Sequence, residues 1–424
     1  MTPARPFGFW TATALVVGGM IGSGVFLMPS ALAPFGWTAS VAWLVSIGGA
    51  LAIGYTLARL TAAVPHASGA VAIVGAVLGP LPGLLIGWSY WVAVWAANAA
   101  IAIAATSYLA ALVPALAATP LTGALVAVAL IWGLTLLNLA GARRAGEFQV
   151  ATTIVKLVPL LAVAGLAVWL GRAGRAATPP LPAFGTVARG LAAAVTLTLF
   201  PLVGFEAAAI AAERVRDPAR TVMRATMAGT AVTGLLYLIV CSAIVLLLPE
   251  PQVAASPAPF ALFVEVVAGR AAALPVALFA AIAAIGALNG WVLIQGEVPL
   301  GMARAGLLPR WFAAVSPRDV PVRVLVVSSA LASALVLSRA SGTLGGVFTF
   351  AAILSTCATL WLYLAICVAA LIRRVAVVPA ALGLPFTLFA FWGAGVEASG
   401  LSLVLMLTAL PVYALRGAAR EQAA

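Results

Sequence analysis

Apolar runs of about twenty residues or more follow one another along almost the whole chain, separated only by short clusters of proline, glycine and arginine. A run of that length is what an α-helix needs to cross the hydrocarbon core of a bilayer, about 30 Å at 1.5 Å per residue. The runs are continuously apolar and rich in alanine, leucine and valine, whereas a transmembrane β-barrel needs short alternating strands. Composition agrees, since 64% of the 424 residues are hydrophobic and 8% are charged. Soluble domains carry about 25% charged residues, so too few ionic groups are present to coat a water-facing surface of this size. The expectation is an all-α polytopic membrane protein, a single transmembrane domain over residues 1–424 whose main surroundings are the lipid bilayer.

Twelve spans are expected, near 8–34, 38–62, 80–112, 121–141, 148–170, 190–213, 225–248, 271–300, 322–338, 344–372, 375–394 and 398–415. With the N-terminus inside, sixteen of the 21 arginines fall on the inner side, and Arg172, Arg175, Arg189, Arg270 and Arg339 fall on the outer side. Inner loops carry the basic excess in membrane proteins, so both short terminal tails are expected in the cytoplasm and the chain in the cell (inner) membrane. The net charge of +12 has the same origin. Its basic residues are scattered singly and are not interleaved with aromatic ones, so no nucleic-acid partner is expected. Cys241, Cys357 and Cys367 all lie inside apolar segments without paired spacing, which supports neither a disulfide framework nor a metal site. No cofactor is expected. The N-terminus runs into the first span without a small-residue cleavage site, so no removable signal peptide is read.

Two spans are interrupted at corresponding places. The first carries Gly18-Gly19-Met20-Ile21-Gly22-Ser23-Gly24, and the sixth carries Pro201-Leu202-Val203-Gly204-Phe205-Glu206. Each interior glycine costs a helix about 1 kcal/mol, and proline removes a backbone hydrogen bond. A broken helix frees backbone N–H and C=O groups, which a membrane tolerates only where they line a cavity or bind something. Paired breaks at the start of two halves, about 8–172 and 190–372, mark an inverted-repeat transporter with its site near the midplane. Close helix packing alone would also use such glycines, but it does not account for a matched pair with an acid beside the second.

Gly22-Ser23-Gly24-Val25-Phe26, Gly87-Trp88-Ser89-Tyr90-Trp91 in the third span and Gly204-Phe205-Glu206 in the sixth resemble the amino acid, polyamine and organocation transporter superfamily. Within it the pattern is most similar to the arginine/agmatine antiporter group. The likeness covers nearly the whole chain, through Trp95, Asn98, Gly290-Trp291 and the loop Gly306-Leu307-Leu308-Pro309. It implies a core of ten helices in two inverted repeats of five, with two peripheral helices over about 375–415. Two departures stand out. Gly19 replaces a polar amide of that group, and Phe200 replaces a gating tryptophan. They lean toward a smaller or more apolar substrate side chain.

Two ionisable residues lie deep in the spans. A charge at the bilayer centre costs at least about 2.5 to 3.5 kcal/mol, so Glu206 reads as functional. A carboxyl whose exposure varies between conformations suits proton coupling or gating, and in the resembling family this glutamate links the sixth span to its neighbours. Lys156 is the one lysine in a chain with 21 arginines, and it sits in the middle of the apolar fifth span. Lysine, unlike arginine, can release its proton when desolvated, so Lys156 is a second candidate for proton coupling. Other branches of the superfamily have a lysine there, near the unwound first span, where sodium-coupled relatives hold a cation. Glu297 and His66 read as near-water structural residues, and Glu213 and Asp217 as members of a solvated inner loop.

The substrate site is expected at the breaks. Amides of Ile21, Gly22, Ser23 and Gly24, at a half-helix N-terminus, favour a carboxylate. Carbonyls near Phe200, Leu202 and Val203 would accept an α-ammonium. Tyr90, Trp95, Asn98 and Trp291 complete the set, with Phe200 and Trp291 as gates or stacking faces. The expected function is secondary active amino-acid transport by alternating access. It would be proton-coupled symport or exchange of neutral amino acids, with cationic amino acid/amine antiport as the alternative. Assembly as a homodimer is left open. With one histidine and no HExxH or GxSxG, an enzyme is not expected, and no GxxxxGK[ST] is present for ATP-driven transport. Inverted halves in one chain do not suggest the symmetric pore of a channel.

Overall fold

The computed structural model describes residues 8–22, 24–64, 67, 69–141, 155–176, 178–206, 215 and 217–413. Their regular structure is helical. The helices are α1 (Phe9–Met20), α2 (Gly24–Leu32), α3 (Trp37–Ala63), α4 (Ala70–Leu78), α5 (Pro80–Leu112), α6 (Pro120–Leu139), α7 (Leu157–Arg172) and α8 (Phe184–Leu199). They continue as α9 (Pro218–Leu247), α10 (Glu250–Ala255), α11 (Pro259–Ala268), α12 (Arg270–Arg304), α13 (Val322–Ser338), α14 (Leu344–Ile372) and α15 (Val377–Leu407). Among the described residues, eight helices are long and apolar enough to cross a bilayer, and nine if the bent pair α1–α2 is one span. The fold is therefore the all-α polytopic one expected. Shorter α7 and α13 stand where the fifth and ninth spans are expected, and α15 covers the last two, interrupted at Gly395 with φ +78°.

The two longest core helices start alike. A short helix ends at a glycine of positive φ, Gly79 (+102°) or Gly269 (+86°), and the long helix α5 or α12 begins at the next residue. Only glycine adopts that backbone without strain, so the turn is written into the sequence. Helix α5 is the most buried of the spans and packs against α12, α14, α6 and α13. Alanine fills most of its faces at residues 93–105, which lets neighbouring backbones approach closely.

Side-chain hydrogen bonds sort the helices into two groups. In the first, Asn98 of α5 donates to Gln295 of α12 (2.7 Å), Gln295 donates to Ser329 of α13 (2.8 Å), and Ser329 pairs with Thr135 of α6 (2.7 Å). In the second, Ser46 of α3 pairs with Thr198 of α8 (2.7 Å) and Ser40 of α3 with Ser242 of α9 (2.8 Å). Helix α1 packs on α9 within this second group. Buried polar networks fix the arrangement of the helices they join, so each group is tied within itself. Among the described residues, two side-chain bonds from α5 of the first group reach the broken spans and bracket the helix breaks.

Candidate functional site

Helix α1 ends at Met20, just after Gly18 and Gly19. Ile21 leaves helical geometry (φ −71°, ψ 86°), and the chain resumes at Gly24 in α2, bent by 48°. Helix α8 ends at Leu199, tightens into a 3-10 turn at Phe200–Leu202, and reaches Gly204 at φ +113°. The two breaks meet backbone to backbone. A Cβ placed on Gly204 would lie 2.7 Å from the Gly19 carbonyl oxygen, and one on Gly24 would lie 2.9 Å from the Phe200 ring. Glycine is needed at both points for close approach, and at Gly204 for its conformation as well.

Three cavities lie along the breaks. An inner cavity of about 530 Å³ opens between α1, the start of α7 and the second half of α12, on the side where α12 ends at Arg304. It is lined by Gly18, Gly19, Tyr90, Lys156, Glu206 and Trp291 among others. A middle cavity of about 20 Å³ lies between Gly22, Gly24, Phe200, Val203, Trp291 and Ser355. That is room for about one water. An outer vestibule of about 920 Å³ lies beyond α2, toward Arg339. Phe200 faces the middle cavity and Phe348 the vestibule, and their rings meet edge to face at 6.0 Å. Trp291 borders the inner and middle cavities together.

The inner cavity is almost wholly apolar, so its two charge-bearing side chains dominate its electrostatics. Tyr90 donates to Glu206 Oε1 (2.8 Å) and the Gly204 N–H donates to Oε2 (3.0 Å), so both carboxyl oxygens are engaged. Tyr363 stacks on Phe205 (5.1 Å) and stands beside the same carboxyl. The Tyr90 bond joins α5 of the first helix group to the sixth-span break of the second. Lys156 occupies the position before α7, 2% exposed, in the wall of this cavity. An amine and a carboxyl thus share one desolvated space, where each acts on a ligand more strongly than it would in water.

The structure brings Ile21, Gly22, Gly24, Tyr90, Lys156, Val203, Glu206, Phe200 and Trp291 to the inner or middle cavity. Ser23 lies outside the described residues, as do His66 and Glu213. The amides of Ile21 and Gly22 are engaged within the break, donating to Val17 O (2.8 Å) and Met20 O (2.7 Å). Among the described residues, the first-turn amides of the half-helix begin at Gly24, where α2 starts. Leu202 is fully buried and lines neither cavity, and Trp95 likewise stands apart from both. Asn98 belongs to the network with Gln295. Sequence reasoning missed Ser355, whose hydroxyl bonds Ala93 O (2.8 Å), and Tyr237, whose hydroxyl holds the Met20 carbonyl at the end of α1 (2.8 Å). A hydroxyl in an apolar helix leaves no pattern that would say whether it faces a cavity or a neighbouring helix.

The second crossing bond lies on the vestibule side. Tyr108 of α5 donates to Phe26 O in α2 (2.8 Å) and accepts from the Phe260 N–H at the start of α11 (3.3 Å). One scaffold helix thus grips the broken spans on both sides of the middle cavity.

The chain matches the family model described as "Amino acid permease" over residues 7–420. It is 31% identical over 339 residues to the cadaverine/lysine antiporter of Escherichia coli (strain K12), covering 80% of this chain and 76% of that protein. It is 30% identical over 375 residues to a provisionally named arginine/ornithine antiporter of Bacillus subtilis (strain 168), covering 81% and 79%. An uncharacterized transporter of Mycobacterium bovis is 34% identical over 340 residues, covering 78% and 73%.

Proposed function

The chain belongs to the amino acid permease family, and from that membership we propose that it exchanges cationic amino acids for related amines by alternating access. It is a multi-pass membrane transporter protein and not an enzyme. The observation that carries the finer reading is the position of Glu206. It is the acid of the inner cavity, it faces the cavity that continues from the breaks, and Trp291 stands between the two spaces. A substrate with its α-carboxylate at the start of α2 would extend past Trp291 and place a terminal ammonium near Glu206. The names of the relatives, a cadaverine/lysine antiporter in Escherichia coli and a provisionally named arginine/ornithine antiporter in Bacillus subtilis, support the same substrate class.

This reading displaces the preference for neutral side chains that Gly19 and Phe200 suggested. Both residues have a packing reason to differ. The Gly19 backbone lies against Gly204, and Phe200 packs on Gly24 and Phe348, so both residues answer to helix contact as well as lining a cavity.

Lys156 supports a second element, proton linkage. An amine that gains and loses its proton with the exposure of the inner cavity would alter affinity in one state more than in the other, which is what coupling requires. The two halves about 8–172 and 190–372 are taken as the inverted repeats that rock about the breaks. The arginine excess supports a cytoplasmic side for the inner cavity and both termini.

Proteoliposomes loaded with lysine, ornithine, arginine, cadaverine or leucine test the reading. Labelled lysine or ornithine should enter in exchange for an internal cationic amino acid or amine, with leucine and alanine competing poorly. Strong competition by leucine or alanine, with none from cationic amino acids, would return the neutral reading to first place.

A further inference from the structure

The inner loop that joins α12 to α13, residues 305–321, carries a surface apart from all three cavities. Arg310, Arg318 and Arg323 are exposed on it or at its edge, and among the described residues none of them pairs with an acid. The one acid of the loop, Asp319, is already paired with Arg304 (3.3 Å). Apolar groups stand exposed among these arginines, Trp311 at 43% and Val315 at 41%. The Arg323 guanidinium lies over the Trp311 ring, 5.9 Å from its centroid. The indole is thereby held at the surface beside a cation.

Several contacts set the shape of the loop. Ser316 Oγ accepts from the Arg318 and Val320 N–H groups (3.3 Å each), and the Ser316 N–H donates to Val320 O (2.9 Å), closing a tight turn in which Asp319 takes φ +55°. The Arg304–Asp319 pair ties that turn to the end of α12. Underneath, Leu308 is buried with Leu84, Met302 and Ala409, and Phe312 meets Trp88 and Trp91 of α5 edge to face at 6.1 and 6.3 Å. With one side packed on the helices, the other presents the arginines and Trp311 outward.

The depth of this surface follows from the helix beside it. Helix α13 has 17 residues, so its length of about 25 Å falls short of the hydrocarbon core. Its first residues therefore stay at the level of the lipid headgroups, and Arg323 stays there with Trp311 stacked on it. Indole rings settle at that depth, and a guanidinium fork matches a phosphate. Three cations without acidic partners and a tryptophan at the edge of the hydrocarbon are complementary to an anionic phospholipid. The inner pair Arg373 and Arg374 lacks this combination, since its short loop 373–376 contains no aromatic residue.

We propose that this loop binds anionic phospholipid of the cytoplasmic leaflet, the headgroup phosphate held by Arg310, Arg318 and Arg323 and Trp311 seated beside it at the glycerol level. The surface does not depend on which solute is carried. Because Phe312 rests on α5, an occupied surface braces the inner end of the scaffold helix.

Hydrogen–deuterium exchange of the full-length protein tests this in nanodiscs of phosphatidylcholine, made with and without phosphatidylglycerol. In the wild type, phosphatidylglycerol should slow amide exchange across residues 305–321 by about tenfold and leave the outer segment 249–258 unchanged. The R310A/R318A/R323A variant should lose the slowing. The R172A/R175A/R189A variant, which removes as many charges from the outer side, should keep it. Lysine at the three inner positions should retain part of it, because the charge survives and the forked geometry does not. Equal exchange in the two kinds of disc overturns the proposal, as does equal slowing of the outer segment or full slowing in R310A/R318A/R323A. Glycerol phosphate added to discs of phosphatidylcholine alone should have no effect, and the same slowing there would assign the loop to a soluble anion and overturn the lipid. Should the triple alanine variant fail to fold, the wild-type comparison decides by itself.

Discussion

The inner cavity and the outer vestibule flank the same pair of helix breaks, yet they are built from opposite materials. The inner one is apolar and holds Lys156, Glu206 and Tyr90; the outer one is larger and offers only hydroxyls and helix amides. The difference follows from which segments face each space. The inner wall takes the unwound end of the sixth span and the residue before α7, where ionisable groups can meet freed backbone. The outer wall takes helix ends and short loops, whose own amides supply polarity. The chemistry that distinguishes substrates and ions is thereby placed on one side, and a neutral, donor-rich antechamber on the other.

The largest expected effect comes from glycines on the two sides. Gly204→Ala forces a Cβ against the Gly19 backbone at a positive φ, with strain and overpacking of about 1 to 3 kcal/mol each. Exchange should be lost and the thermal unfolding midpoint in detergent should fall. Gly345→Ala has open space at a helical position and should leave both within error, or slightly raise stability. Equal behaviour of the two variants would break the view that the breaks are locked while the vestibule is roomy.

Acids give the next contrast. Glu206→Gln replaces one of two buried acceptor oxygens with an N–H donor and removes the negative charge, and kcat/KM for a cationic amino acid should fall about ten- to hundredfold, the equivalent of roughly 1.5 to 3 kcal/mol. Glu397→Gln breaks an exposed pair with Arg339 (2.6 Å) on the vestibule side, and near-normal kinetics are expected. Measuring leucine alongside sharpens the result, because a loss confined to cationic substrates assigns Glu206 to the ligand. An equal loss for every substrate assigns it to the Tyr90 contact between helix groups.

The smallest change in rate is expected for Lys156→Met, which should keep exchange within a few-fold of wild type. Its effect should show in energetics. Wild-type vesicles with an acidic exterior should accumulate substrate above equilibrium, and the variant should not. Undiminished accumulation by Lys156→Met would remove the lysine from coupling and leave it as a fixed positive charge of the inner wall.

How much of this was legible in the chain differs from residue to residue. The glycine runs and Pro201 announced the breaks, because helix propensity is local and a chain that violates it in a membrane must have a reason. Glu206 and Lys156 stood out because a charge in an apolar run is costly wherever the run folds. Asn98 and Trp95 came from the resemblance of the third span to the transporter superfamily, but they face other helices. Their helix α5 is buried on nearly all sides, so its sequence gives no sign of which face meets the cavity. The engagement of the Ile21 and Gly22 amides was equally hidden, since it depends on how the chain turns within the break.

The sequence by itself determined that the chain lies in a membrane, that it is helical, where two helices break, and which two ionisable side chains sit deep within it. Those are consequences of composition and local propensity, which act over a few residues and need no partner. Only the tertiary structure decided that the breaks touch at Gly19 and Gly204, that Lys156 and Glu206 share one cavity, and that Tyr90 and Tyr108 grip the broken spans from one helix. Each of these joins segments far apart in the chain through contacts of a few ångströms, and their geometry is set by how whole helices pack.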